Sequence, residues 1–205
     1  MNLVEKLNPT NTALIVIDMQ NDFCSNTGIM AKLGKNISQM DKLANDIQSL
    51  INLCTKKYIP IFYTQQIYDR SKLNDLQKEQ YDLDGRMVTC DINSDGYKFY
   101  KLDPPSSQVY QKYNYNIFSN SQLISDLQTN NIKTLIITGV STQICVETAI
   151  RNGFDIGYKI IVPSDLVSTT SNDPDNQVRT LKLVNKTFGV VTNKKELFDI
   201  LANQK

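Results

Sequence analysis

Residues 13–18 read ALIVID, five apolar residues of which three are β-branched, and then an aspartate. An unbroken apolar run of this length is the pattern of a strand covered on both faces, as in a parallel sheet. A carboxylate at its end does not belong to that packing, so Asp18 marks the exit of the strand and draws attention as a chemical group. Beyond it, Met40, Leu43, Ile47, Leu50, Ile51 and Leu53 recur at helical spacing across residues 38–57. Residues 59–64 (IPIFYT) then form a second apolar run. Strand, helix, strand at these lengths predicts a βαβ unit with parallel strands.

The alternation resumes further along. Residues 108–112 (QVYQK), 133–138 (KTLIIT, closed by Gly139), 158–162 (YKIIV) and 189–192 (GVVT) read as strands. Helices are expected over residues 121–128, with Ser119 or Asn120 as N-cap, and over 142–152, 175–186 and 194–202. The third of these follows a capping signal, Ser171-Asn172-Asp173-Pro174. The expected fold is α/β: a three-layer, doubly wound α/β/α domain spanning residues 1–205, with a sheet of about six mostly parallel strands. Residues 67–107 interrupt the pattern with polar sequence, the turn signals Asp84-Gly85, Asp95-Gly96 and Pro104-Pro105, and a short helix near residues 73–81. Excursions of that length in a compact domain serve as lids, binding loops or oligomer contacts.

Charge and composition exclude several classes of function. With 22 basic and 21 acidic residues spread along the chain, the net charge is +1, which leaves no electrostatic footprint for nucleic acid or an anionic membrane. A small-molecule substrate is the expected partner. The N-terminal residues lack the pattern of a secretory signal and no apolar run is long enough to span a bilayer, so a soluble, cytoplasmic protein is expected. Cys24, Cys54, Cys90 and Cys145 show no C-x-x-C spacing and are read as free thiols. The chain has no histidine, which removes Ser-His and Cys-His dyads and histidine zinc sites. No metal and no cofactor are expected, and catalysis would fall to carboxylate, amine, thiol or hydroxyl groups.

In open α/β sheets ligands bind beyond the carboxyl ends of the strands. Asp18 ends the first strand, Lys112 ends the third, and Cys145 lies just past the fourth, in the opening turns of a helix. A thiol there feels unpaired N–H groups and the positive end of the helix dipole, which favour thiolate; a nearby lysine adds to the bias. Asp18 is placed to take the thiol proton and return it to a leaving amine. Backbone N–H groups between Gly139 and Cys145 are candidates for stabilising an oxyanion. Each residue also has an ordinary reading. Cysteine is a common buried apolar residue, the reading given to Cys24, Cys54 and Cys90; an aspartate at a strand end can cap a turn, and a lysine can be a solvated charge.

Three ordered stretches resemble the isochorismatase-like cysteine hydrolases, a family that includes nicotinamidases, N-carbamoylsarcosine amidases, and ureidoacrylate and biuret hydrolases. TALIVIDMQNDFC (residues 12–24) resembles the family's D-x-Q-x-D-F motif. VYQKYNYNIFSNSQL (109–123) resembles K-x-x-Y-x-x-F-x-x-[ST]-x-L. GVSTQICVETAIRNGFDIGYKIIVPSDLV (139–167) resembles G-V-x-T-x-x-C-V-x-x-T-A followed by G-Y-x-x-x-V-x-D. The resemblance implies Asp18 as base, Lys112 as the assisting cation and Cys145 as nucleophile. It further implies a cis peptide between Val140 and Ser141 that aims the N–H groups of Ser141 and Cys145 at the oxyanion. Phe23 and Phe118 stand where the family lines its pocket, and homo-oligomers, dimers or tetramers, are common in it.

Departures from the family pattern narrow the reaction. Family nicotinamidases hold a metal through histidines and an aspartate after the second strand, where this chain reads Tyr63-Thr64-Gln65-Gln66-Ile67. Isochorismatases, which cleave a vinyl ether, usually lack a cysteine at the position of Cys145, although Gln66 resembles a glutamine that they carry, and Gln66 is expected near the substrate. The resulting expectation is a metal-independent cysteine hydrolase that cleaves a small amide, ureide or carbamoyl compound through a thioester. The alternatives are vinyl-ether hydrolysis, which would survive loss of the thiol, and a non-catalytic binding protein of the same fold.

Overall fold

The structure, a computed structural model, describes residue 3 and residues 7–84, 87–173 and 175–203. Gly85 of the Asp84-Gly85 turn signal and Pro174 of the capping signal lie outside the described residues. In chain order the main elements are β1 (Thr12–Ile17), α1 (Met40–Lys56), β2 (Ile61–Gln66), α2 (Asp75–Asp84), β3 (Val109–Lys112), α3 (Ser121–Thr129) and β4 (Thr134–Val140). They continue as α4 (Glu147–Asp155), β5 (Lys159–Pro163), β6 (Val167–Ser168), α5 (Asp175–Leu183), β7 (Val190–Thr192) and α6 (Lys194–Asn203). The sheet has seven strands, all paired in parallel, in the order β3-β2-β1-β4-β5-β7. The extra strand over the expected six is β6, which pairs with Gly139 and Val140 at the end of β4. Two residues are too few to show a period, which is why sequence patterning misses it.

Every residue of β1 and β4 is buried, because the two strands lie at the centre with helices on both sides. Alternate residues face opposite layers. Leu14 and Val16 pack with Leu43, Ile47 and Leu50 of α1 and Leu197 of α6. Ala13, Ile15 and Ile17 pack with Leu123 and Leu127 of α3 and Ala149 and Ile150 of α4. Each fully buried leucine or isoleucine contributes about 1.5–3 kcal/mol. On α1 the buried stripe continues through Cys54, while Leu53 is only half-buried. The start of α3 settles on Asn120, whose side chain accepts from the N–H groups of Gln122 and Leu123 at 3.0 and 3.1 Å.

The chain winds outward from β1 in one direction through β2 and β3, then returns to lay β4, β5 and β7 on the other side. The strand order therefore reverses between β1 and β4, and a crevice opens at their carboxyl ends. β4 runs past the expected stop at Gly139 and includes Val140. Gly139 tolerates this because it has φ +108° and lies against β1: a Cβ there would come 2.1 Å from Ile17 O.

Two polar side chains after β1 pin the long excursion to the sheet. Gln20 accepts from the Gln66 N–H at 2.8 Å and donates to the carbonyls of Gln66 and Tyr97 at 2.8 and 2.7 Å. Asp22 accepts from the N–H groups of Ile29 and Cys90 at 3.1 and 2.7 Å. Among the described residues, no helix is long and apolar enough to cross a membrane.

Candidate active site

Asp18, Lys112 and Cys145 meet at the carboxyl ends of β1, β3 and β4. Asp18 follows β1 with φ 50°, a left-handed conformation that aspartate tolerates better than most residues. Its carboxylate is fully buried, and Oδ1 accepts from Thr64 Oγ1 at 2.8 Å. Oδ2 lies 2.7 Å from Lys112 Nζ. Beyond that ion pair, Oδ2 has no aligned hydrogen bond among the described residues, which leaves it open to receive a proton.

Lys112 is the last residue of β3 and pairs in register with Gln66 of β2. Its side chain is 1% exposed, and its ammonium contacts Asp18, Gln66 Oε1 at 2.9 Å, the Asn114 carbonyl at 3.2 Å and Cys145 Sγ at 3.5 Å. Burial pulls the ammonium toward neutrality, but the Asp18 carboxylate, with the Cys145 sulfur beside it, prevails and holds its pKa above the ordinary lysine value.

Cys145 sits in a wide first turn, Thr142–Val146, ahead of α4. There the Val146 N–H reaches back five residues to the Ser141 carbonyl at 3.3 Å, and the Ile144 N–H bonds to the same oxygen at 2.9 Å. Such single π-type turns often occur at functional sites. The Val140–Ser141 peptide that precedes the turn is cis.

The protonation of the sulfur differs from the sequence expectation. Burial first and then the Asp18 carboxylate raise the Cys145 pKa to about 12, with Lys112 offsetting only part of the rise. The resting group is a thiol rather than the thiolate that its place near a helix start suggested. Seven per cent exposure and a neighbouring carboxylate outweigh a helix dipole of about half a unit charge.

Above the sulfur lies a cavity of about 420 Å³. Cys145, Val140, Ser141, Phe23 and Gln66 line it, while Asp18 and Lys112 lie behind its floor. Phe118 requires a correction: it is not part of the wall. Its ring stacks on Tyr158 with centroids 6.0 Å apart and lies beneath Gly153 of α4, so it serves as packing. The excursion supplies much of the opposite wall, including Ile67, Tyr68, Leu73 and Tyr81. Sequence reasoning did not single out Thr64, although it orients Asp18; its only signal was its place at the end of an apolar strand beside Gln66. The other cysteines are free and buried, and burial raises the Cys24 and Cys54 pKa values to about 12 and that of Cys90 further.

Fold and site together define a parallel α/β protein with a buried thiol, ammonium and carboxylate grouped where the sheet reverses direction. The model of the isochorismatase domain matches residues 12–196, and the chain belongs to that family, with its cysteine hydrolases. A ureidoacrylate amidohydrolase RutB from Acinetobacter baylyi is 30% identical over 172 residues, 75% of this chain and 69% of that protein. Another RutB, from Cronobacter turicensis, is 26% identical over 213 residues, 95% of this chain and 90% of its own length. A cysteine hydrolase from Pseudomonas syringae pv. phaseolicola 1448A superposes with a TM-score of 0.82 at 25% identity, covering 96% of this chain and 95% of that one.

Proposed function

We propose that this protein is a metal-independent cysteine amidohydrolase that cleaves a C–N bond of a small amide, ureide or carbamoyl compound through a thioester. The observation that carries the reading is the pair of contacts at Lys112 Nζ, 2.7 Å to Asp18 Oδ2 and 3.5 Å to Cys145 Sγ, directly beneath a cavity that opens onto that sulfur. The relatives named as ureidoacrylate amidohydrolases support the same reaction class.

Because the sulfur rests as a thiol, attack and deprotonation go together. Asp18 takes the proton as Sγ adds to the carbonyl carbon, and the Lys112 ammonium offsets the negative charge that develops on sulfur. The N–H groups of Ser141 and Cys145 receive the oxyanion, a role worth about 3–4 kcal/mol per donor. As the tetrahedral intermediate collapses, the C–N bond breaks and Asp18 returns its proton to the departing amine. Water then adds to the thioester carbon with Asp18 accepting a proton; the C–S bond breaks, and that proton restores the thiol. Throughout, the acid and base work stays with one carboxylate, which fits a chain without histidine.

The test combines ammonia release with intact-mass analysis after acid quenching, using ureidoacrylate and a panel of small ureides and amides. Turnover with a transient acyl adduct on Cys145 is expected, and Cys145→Ala should abolish both. Undiminished turnover by Cys145→Ala would overturn the reading and favour ether-type hydrolysis.

A further inference from the structure

The space around the sulfur is unequal on its two sides. Below it, Asp18 and Lys112 are buried, and Lys112 Nζ lies 2.7 Å from Asp18 Oδ2 and 3.5 Å from Cys145 Sγ. A nitrogen that leaves with the proton from Asp18 must meet that carboxylate among these packed groups, where hydrogens fit and a large substituent does not. Above the sulfur, the cavity of about 420 Å³ has the size of a site for a whole small molecule, within the usual range of about 300–1,000 Å³. The bulk of a substrate therefore belongs on the acyl side of the scissile bond.

The wall that would receive this bulk is largely apolar. The excursion presents Ile67, Tyr68, Leu73 and Tyr81 to the cavity, together with Gln77 and Gln80 of α2. Tyr68 and Tyr81 meet edge to face with ring centroids 5.0 Å apart, and the Tyr68 N–H donates to the Cys90 carbonyl at 2.9 Å. The ring pair is thus in place before a ligand arrives, which lowers the ordering cost of binding. At the rim, Tyr115 is 57% and Ile144 42% exposed, apolar surface that a ligand would cover. On the other side of the cavity the hydroxyls serve one another and the backbone. Ser141 Oγ accepts from the Thr170 N–H at 3.3 Å, and Ser171 Oγ accepts from the Asp173 N–H at 3.1 Å and from Asn176 Nδ2 at 2.7 Å.

We infer that the substrate is a primary amide of an apolar acid, with its amide nitrogen turned to the floor beside Asp18 and its alkyl or arylalkyl chain laid along Ile67, Tyr68, Leu73 and Tyr81. This inference rests on the amidohydrolase reading and specifies which side of the scissile bond carries the bulk. Sγ bonds to the carbonyl carbon, the C–N bond breaks, and ammonia leaves with the proton that Asp18 held. Water then releases the free acid and restores the thiol. Leu73 and Tyr81 are specificity residues in this scheme, because the bond-breaking steps do not pass through them.

The experiment measures kcat/KM of the full chain along acetamide, butanamide and hexanamide. The value should rise about fourfold per added methylene, the gain expected for burying a CH₂ group. N-butylacetamide is an isomer of hexanamide that carries the same four extra carbons on the leaving nitrogen, and hexanamide should be preferred by more than about tenfold. Tyr81→Ala and Leu73→Ala should each lower the hexanamide-to-acetamide ratio several-fold, whereas Tyr81→Phe, which keeps the ring, should preserve it. A flat chain-length series, equal use of the two isomers, or a ratio untouched by both truncations would overturn the inference while leaving the amidohydrolase reading intact.

Binding separates the opposite case. If the wild type hydrolyses none of these amides, ligand-observed NMR titration of Cys145→Ala measures their affinities directly. Binding that tightens by more than about tenfold from acetamide to hexanamide, and weakens several-fold for hexanamide in the Tyr81→Ala, Cys145→Ala double variant, supports the apolar acyl site and removes the proposed reaction alone. Equal affinities for acetamide and hexanamide overturn the inference.

Discussion

The floor and the opposite wall of the cavity are built from different material. The floor hangs from the ends of β1, β3 and β4, of which β1 and β4 have no exposed residue, and its polar groups are cross-linked by an ion pair and a threonine hydrogen bond. The opposite wall comes largely from residues 67–81 and Thr89, and in this region α2 leaves Leu76 64% and Leu83 75% exposed. Bond making needs atoms held to within a fraction of an ångström, which buried parallel strands provide. Selection among small molecules tolerates more movement and more sequence change, which surface segments provide.

Substitutions break this contrast in a graded way. The largest effect should come from the floor: Asp18→Asn removes the proton acceptor and should lower kcat by about 10³-fold, within the usual range for a lost general base, in a steady-state ammonia assay. A rate within a few-fold of wild type would remove Asp18 from the mechanism. Next, Lys112→Met leaves a buried carboxylate without its counter-charge and should cost about 3–5 kcal/mol in urea denaturation. Combining it with Asp18→Asn should cost less than the sum of the single changes, because neither charge is then stranded.

The opposite wall should respond more mildly. Leu73→Ala alters a residue that meets the cavity from the excursion and should change kcat/KM by less than about tenfold, mainly through KM, since it touches no reacting atom. A kcat loss as large as that of Asp18→Asn would mean that the excursion takes part in the chemistry.

The smallest effect separates two buried thiols. Cys54 is raised to about 12 by burial alone, whereas Cys145 reaches about 12 through burial together with Asp18. Because the folded value lies above the ordinary 9.0, each thiol's contribution to stability is complete below pH 9. It is lost as pH rises toward the folded value, at up to about 1.4 kcal/mol per pH unit and thiol, since the unfolded chain ionises first. Cys54→Ala should therefore flatten the alkaline loss of stability by one thiol's share while leaving ammonia release unchanged. An unaltered slope would place Cys54 outside that balance.

Asp18 was legible because a carboxylate closing a fully apolar strand violates the pattern around it, and Lys112 and Cys145 because they follow strands that lead to the same edge. Phe118 was misread since an aromatic residue near a site looks the same in sequence whether it faces the cavity or the underside of α4. The contacts of Thr64 with Asp18 and of Asn172 with Asn36 were not legible in the sequence, because they join residues 46 and 136 positions apart.

Local periodicity and strand-end chemistry were enough to determine the layered α/β architecture, the order of most elements and the strand ends that carry Asp18, Lys112 and Cys145, since these depend on neighbours within a few residues. The tertiary structure decided the two-residue strand β6, the protonated resting state of Cys145 and the pairing of Tyr68 with Tyr81 on the cavity wall. Each depends on burial or on groups distant in the chain, and desolvation and long-range contact arise only once the chain is folded.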